Sequence, residues 1–270
     1  MMITKSHITK TLSMAGLGTG DHVIVHSSLK NIGPIENGAG VLIDALLEIV
    51  GTEGALAMPS FNYTNPLPDP YFDVLATPGR TGALTEVFRQ QPGTIRSYHP
   101  AHSVSACGKR ACEFLADHRE SFGINSPIDR IAQAGGYVLL LGVTHWSNSM
   151  IHIGESYAGV KKFFKHEGPL PTVKMRLPDG RFVEHQLDCT SSCSHAFNAV
   201  EFPLRCRNGI IDFNLGNALC FLMKGQEVID TVVAMIRERP DILFCHNLDC
   251  RCCTEGRKYL QWNRTEKITR

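Results

Sequence analysis

Apolar residues in this chain fall into two kinds of run, and their alternation predicts an α/β fold. The short runs His22-Val-Ile-Val-His26, Ala55-Leu-Ala-Met58, Val104-Ser-Ala-Cys107, Tyr137-Val-Leu-Leu-Leu-Gly142 and Ala218-Leu-Cys-Phe-Leu-Met223 read as buried strands. Helical stretches are expected from about Ser6, as cap, to Ala15, Val41 to Val50, Ala83 to Gln91, Lys109 to His118, Ser194 to Arg207 and Gln226 to Arg239. Strand alternating with helix implies a central, mainly parallel sheet. Pro178-Asp-Gly180, between Val173–Leu177 and Arg181–His185, carries hairpin signals and predicts an antiparallel extension. The passage from Pro59 to Pro78 has little periodicity, and loops of that length are usually functional or disordered. With no repeat, low-complexity tract or linker, one domain over 1–270 is expected, with the cysteine-rich tail at 245–253 as an appendage.

Composition narrows the function classes. A chain of 270 residues, 43% hydrophobic and 20% charged, can bury a large core. Its net charge of +1, with basic residues scattered, argues against nucleic acid as partner. No apolar run approaches the roughly 20 residues needed to span a bilayer, so no membrane partner is expected. The amino terminus lacks a signal-peptide h-region, which makes the cytoplasm the expected compartment. There the 10 cysteines are reduced thiols or metal ligands rather than disulfides.

Candidate chemistry collects between Gly142 and Glu155, just past the most apolar strand. Residues at the carboxyl end of such a strand face the ligand crevice of an open α/β sheet. His152 and Glu155, three apart on an expected helix, share one face. A histidine held by a carboxylate can act as a general base, because the carboxylate stabilises the imidazolium formed on proton transfer. On spacing alone His145 is a rival, and a core histidine beside a solvated glutamate is the bland alternative. A second cluster is Cys245-His-Asn-Leu-Asp-Cys250-Arg-Cys252-Cys253. Cys250-x-x-Cys253 has structural-zinc spacing, Cys245 can add a thiolate, and His246, Cys189 and Cys252 are reserves. Zinc competes evenly here with unliganded thiols.

An ordered set of motifs adds a family resemblance. Val25-His-Ser-Ser-Leu29, Arg80-Thr-Gly-Ala-Leu-Thr-Glu86, Arg96-Ser-Tyr-His-Pro100 with Ser103, Ser126-Pro-Ile128, and Leu141-Gly-Val with Ile151-His-Ile-Gly-Glu155 resemble the aminoglycoside 3-N-acetyltransferases, the antibiotic N-acetyltransferase superfamily. The resemblance implies an α/β/α sandwich, unrelated to the GNAT acetyltransferases, and acylation of a small-molecule amine by acetyl-CoA. It makes His152 the base, with Glu155 or Asp188 as the carboxylate that orients it. Ser149 takes the place of a family threonine that donates to the thioester oxygen, although a serine there is equally a helix N-cap. His145 and Trp146 depart from the family pattern without an assigned role.

For acetyl-CoA, the resemblance supports Ser27, Ser28, Arg80, Gly82, Arg96, Ser97 and Ser103. His99 is expected to be structural. A polycationic acceptor calls for carboxylates, and Asp73, Glu155 and Asp188 are the substrate-binding candidates. Relatives with a similar cysteine tail imply Cys193, Cys245, Cys250 and Cys253 as a closed zinc site. Competing readings are a biosynthetic amino sugar or other small amine as acceptor, a zinc-dependent hydrolase, and a non-catalytic CoA- or zinc-binding protein.

Overall fold

A computed structural model describes residues 2–62, 69–160, 170–188 and 193–268, with backbone alone for 261–268. The first half runs α1 (Lys5–Met14), β1 (His22–Ser27), α2 (Leu29–Ile32), α3 (Ala39–Val50), β2 (Ala55–Pro59), β3 (Tyr71–Asp73), α4 (Ala83–Arg89), β4 (Ile95–Arg96), β5 (Val104–Gly108) and α5 (Ala111–Leu115). The second runs α6 (Pro127–Gln133), β6 (Tyr137–Leu141), α7 (Met150–Tyr157), β7 (Thr172–Arg176), β8 (Phe182–Gln186), α8 (Glu201–Cys206), β9 (Ile211–Leu215), β10 (Ala218–Lys224), α9 (Gly225–Glu238) and α10 (Arg251–Ile268). Thr4, rather than Ser6, caps α1, its Oγ1 accepting from the amide of His7.

Seven strands form the main sheet, in the order β4-β5-β2-β1-β6-β10-β9. Only its centre is parallel: β1 pairs parallel with β2 and β6, whereas β4, β5, β10 and β9 join antiparallel. The connections explain this. Helical crossovers link the central strands, while a tight turn at Gly216 and Asn217 joins β9 directly to β10. The expected hairpin is β7–β8, and it forms a separate three-stranded sheet with β3. β3 lies inside the stretch that carries no periodicity, because three residues pairing parallel to β7 leave no local pattern.

Strand alternation sorts the core into two layers. Ile24, Ala57, Val138, Leu140 and Met223 face a cluster that includes Ile151 and Ile153 of α7, Val228 and Val232 of α9, and Phe197. Val23, Val25, Leu56, Leu139, Leu141 and Leu222 face α1 and α3 through Ile8, Leu12, Leu42 and Leu46. This is the α/β/α sandwich. Leu243, Phe244, Cys245 and Cys253 join the first cluster, so the cysteine-rich tail is part of the core and not an appendage. Among the described residues, no helix is long and apolar enough to cross a membrane.

Candidate active site

β1 lies between β2, to which the chain runs next, and β6, which it reaches only later, and this switch in strand order opens a crevice at the carboxyl ends of these strands. A cavity of about 310 Å³ occupies that position, lined by His26 and Ser27 from β1, Pro59 at the end of β2 and Phe61 after it, Thr81, and Trp146 to Ser149 with His152 after β6. The chain turns out of β6 at Gly142, whose φ of +67° suits glycine and whose carbonyl accepts from Asn31 Nδ2 at 2.7 Å.

α7 carries the base candidate. Its start is fixed by Asn148, whose Oδ1 accepts from the Met150 amide at 3.1 Å. The helix sits hard against α9: a Cβ on Gly154 would lie 2.5 Å from Val232 Cβ. His152 Nδ1 and Glu155 Oε2 are 2.6 Å apart, and Glu155 is buried. The imidazole stacks on Phe122 at 4.5 Å and meets the edge of Phe197 at 4.7 Å. Ser156 Oγ donates to the Phe122 carbonyl at 2.6 Å, tying that ring's backbone to α7. Among the described residues, no hydrogen bond is made to His152 Nε2.

The two carboxylates considered for His152 are thereby separated. Glu155 is its partner. Asp188 instead accepts from the amide of Ser121 at 3.0 Å and its hydroxyl at 2.5 Å, and lies 3.5 Å from His99 Nε2. This engagement corrects both the orienting role and the substrate-binding role given to Asp188. His99 Nδ1 accepts from the amides of Ala101 and His102, as expected of a turn residue. His145 is excluded as a base by its surroundings. It is fully buried, its ring lies against Phe221, and burial pulls its pKa down to about 4.

Asp73 also departs from expectation. Its Oδ1 accepts from the amides of Leu75 and Ala76, and its Oδ2 from Arg176 Nη1. Burial raises its pKa, but these bonds outweigh that effect and the net shift is downward. The carboxylate shapes a turn and is not left for an acceptor amine. Arg96, Ser97 and Ser103 are buried, with their polar atoms turned to protein. Arg96 donates to Ser103 Oγ and to the carbonyls of Ser60, Val74 and Thr77. Ser97 Oγ pairs with His118 Nδ1 and accepts from the Val104 amide, and Ser103 Oγ donates to the Ser60 carbonyl. Direct contact with the coenzyme is therefore withdrawn for these three, which brace the floor behind the cleft.

Ser27 lines the cavity, while Ser28 Oγ accepts from the Asn31 amide and caps α2. The segment of Arg80 and Gly82 is held at the rim. Arg80 N donates to the Phe61 carbonyl at 2.7 Å, Thr81 Oγ1 donates to the Pro59 carbonyl, and Glu86 accepts from the Gly79 amide at 2.8 Å. Ser149 precedes α7 but makes no capping bond; its Oγ lies 3.2 Å from His26 Nε2. Burial lowers the His26 pKa to about 3, which keeps that ring neutral. His26 was missed from sequence, although a polar residue closing an otherwise apolar strand was its one available signal.

The sulfurs of Cys193, Cys245, Cys250 and Cys253 all lie within 4.8 Å of one another. Cys253 Sγ also accepts from the Cys245 amide at 3.3 Å. Four converging thiols with a backbone donor fit the donor set of a closed tetrahedral site, whose Zn–S bonds are about 2.3 Å long. Cys252 and His246 lie outside this set, and Cys189 outside the described residues. Cys193 also leads into the cleft wall, because Ser194 and Phe197 line the cavity.

Such a cleft, with an oriented imidazole and a hydroxyl beside it, holds the groups that acyl- and proton-transfer enzymes of the α/β class use. The chain matches the aminoglycoside 3-N-acetyltransferase family over residues 24–237 and belongs to it. It is 27% identical to aminoglycoside N(3)-acetyltransferase VII of Streptomyces paromomycinus, covering 88% of this chain and 92% of that one. It is 28% identical to a prophage-derived aminoglycoside N(3')-acetyltransferase-like protein of Bacillus subtilis (strain 168), over 84% and 90% of the two chains. Among solved structures, apo aminoglycoside acetyltransferase AAC(3)-IVa superposes with a TM-score of 0.82 at 26% identity, over 96% of this chain and 98% of that one. Other structures of that enzyme hold gentamicin or apramycin.

Proposed function

We propose that this protein transfers the acetyl group of acetyl-CoA to a primary amine of a small molecule, the 3-amino group of an aminoglycoside being the first candidate. The observation that carries the reading is His152, fixed through Nδ1 by Glu155 and wedged between Phe122 and Phe197 at the mouth of the crevice. With Nδ1–H donated to Glu155, Nε2 keeps a lone pair and takes a proton from the acceptor amine. The amine nitrogen attacks the thioester carbon, the C–S bond breaks, and the thiolate of CoA recovers a proton from the His152 imidazolium.

Neutral His26 has a part in this scheme. With its proton on Nε2 it donates to Ser149 Oγ, freeing the serine hydroxyl to donate to the thioester oxygen as negative charge develops there. Ser27 and the Arg80–Gly82 segment are the coenzyme contacts, since they edge the same cleft and Arg80 is an exposed cation suited to phosphate. Cys193, Cys245, Cys250 and Cys253 would hold a structural zinc. With four protein ligands that site keeps no open position, and neither His152 nor Glu155 is among them, which disfavours a zinc hydrolase.

One observation favours a less highly charged acceptor, such as a biosynthetic amino sugar. Among the described residues, no Asp or Glu lines the cavity. The test is release of free CoA from acetyl-CoA with gentamicin, apramycin and glucosamine, with mass spectrometry of the product. Release that requires both substrates supports transfer, and the preferred acceptor separates the two readings. No release with any amine overturns the proposal.

A further inference from the structure

Among the described residues, Trp146 is the one large aromatic ring of the cavity lining that is mostly in water, with 52% of its surface exposed. An indole left in water beside a base that must meet an amine calls for an explanation in terms of the acceptor. The ring is held from two directions. Its backbone lies in the short 3₁₀ turn His145–Ser147, where the Trp146 amide donates to Thr144 Oγ1. Its face lies against the His195 imidazole, with centroids 4.8 Å apart and planes 31° from parallel. His195 stands two residues after Cys193, so the thiol cluster fixes the segment that supplies the second ring.

We infer that Trp146, backed by His195, is the acceptor platform of the cleft: it takes the protonated amino group or amino-sugar ring on its open surface and presents the neighbouring amine to His152. This rests on the acetyl-transfer reading and names how that site selects its acceptor. Three facts converge on it. Asp73, Glu155 and Asp188 are each engaged with protein partners. The cavity lining otherwise supplies hydroxyl, amide, imidazole and phenyl groups and, among the described residues, no carboxylate. An indole face attracts a cation through its quadrupole more strongly than any other side-chain ring, and it also packs against the C–H face of a sugar. Ring-based selection tolerates monoamines as well as polyamines, which a cage of carboxylates does not.

The test is kinetic and spectroscopic. In Trp146→Ala, the KM for glucosamine or gentamicin rises about two- to fivefold, the factor that corresponds to the roughly 0.5–1 kcal/mol of a cation–π contact at an exposed site. The KM for acetyl-CoA does not move, and Trp146→Phe recovers most of the loss. In a Trp262→Phe background Trp146 is the sole indole, and its emission shifts saturably when either amine is added without coenzyme. An unchanged acceptor KM in Trp146→Ala, or emission unmoved by saturating amine, overturns the platform while leaving acetyl transfer intact. Absence of CoA release from the wild type with every amine overturns acetyl transfer, and the emission titration then still decides the platform by itself.

Discussion

His152–Glu155 and His99–Asp188 are both imidazole–carboxylate pairs, separated by the rings of Phe122 and His102, yet they do opposite work. In the first, the carboxylate takes Nδ1 and leaves Nε2 to the cleft. In the second, His99 Nδ1 accepts two amides, Nε2 faces Asp188 and the Ser121 hydroxyl, and the ring is fully buried. Proximity of a histidine to an acid therefore does not make a base. What distinguishes the two is whether one nitrogen remains for a reactant.

The largest test of this contrast is His152→Ala, which is expected to lower kcat by about 10²- to 10⁴-fold, the usual worth of a positioned general base. Thermal unfolding of the variant should stay close to wild type, and an enzyme that kept its rate would return the role of base to another group. Glu155→Gln is expected to fall between, losing about 10- to 100-fold in kcat, because a hydrogen bond to a charged partner is worth roughly 1.5–3 kcal/mol. Equal losses in Glu155→Gln and Asp188→Asn would erase the distinction between the two pairs.

Acid should act on the buried histidines. His26, His118 and His145 have pKa values depressed by burial below their ordinary 6.5, to about 3 for His26 and about 4 for His145. The unfolded chain therefore binds protons first as pH falls. Their stabilisation is present above pH 6.5 and is lost progressively below it, toward pH 4 for His145 and pH 3 for His26, by about 1.4 kcal/mol per pH unit for each group. Urea unfolding at pH 7, 6 and 5 measures it; a midpoint independent of pH would show these rings to be solvated. The smallest effect is expected from Asp188→Asn, a loss of about 1–2 kcal/mol in stability with kcat nearly unchanged, read by denaturant titration beside steady-state rates.

The candidate base was legible because its chemistry is local: a spacing of three along one helix face fixes that His152 and Glu155 meet. The residues misassigned from sequence are those whose partners lie far along the chain. Asp73 is claimed by Arg176, Asp188 by Ser121, and Arg96 by three carbonyls, and nothing in a linear motif shows that such a group is already satisfied. The fold follows the same division. Strands with strong apolar runs were visible, whereas β4, with two residues, and β9, with alternating exposed polar positions, acquire their identity only by pairing with β5 and β10. Cys193 lay between these extremes: the thiol spacing near Cys250 was local, but its membership of the set came from resemblance and is matched by the convergence of four sulfurs.

Gly154 has a last consequence. The helix that carries the candidate base touches α9 closely, with no space for even one methyl group at Gly154, so the imidazole has a fixed address relative to the sheet. On the proposed mechanism, a change of acceptor would then fall on the segments around the candidate base, the turn at His145–Ser147 and the strip from Cys193 to Phe197, while the helix that carries His152 stays in place. Within this architecture, diversification of substrate range is a matter of remodelling the doorway around a stationary hinge-post.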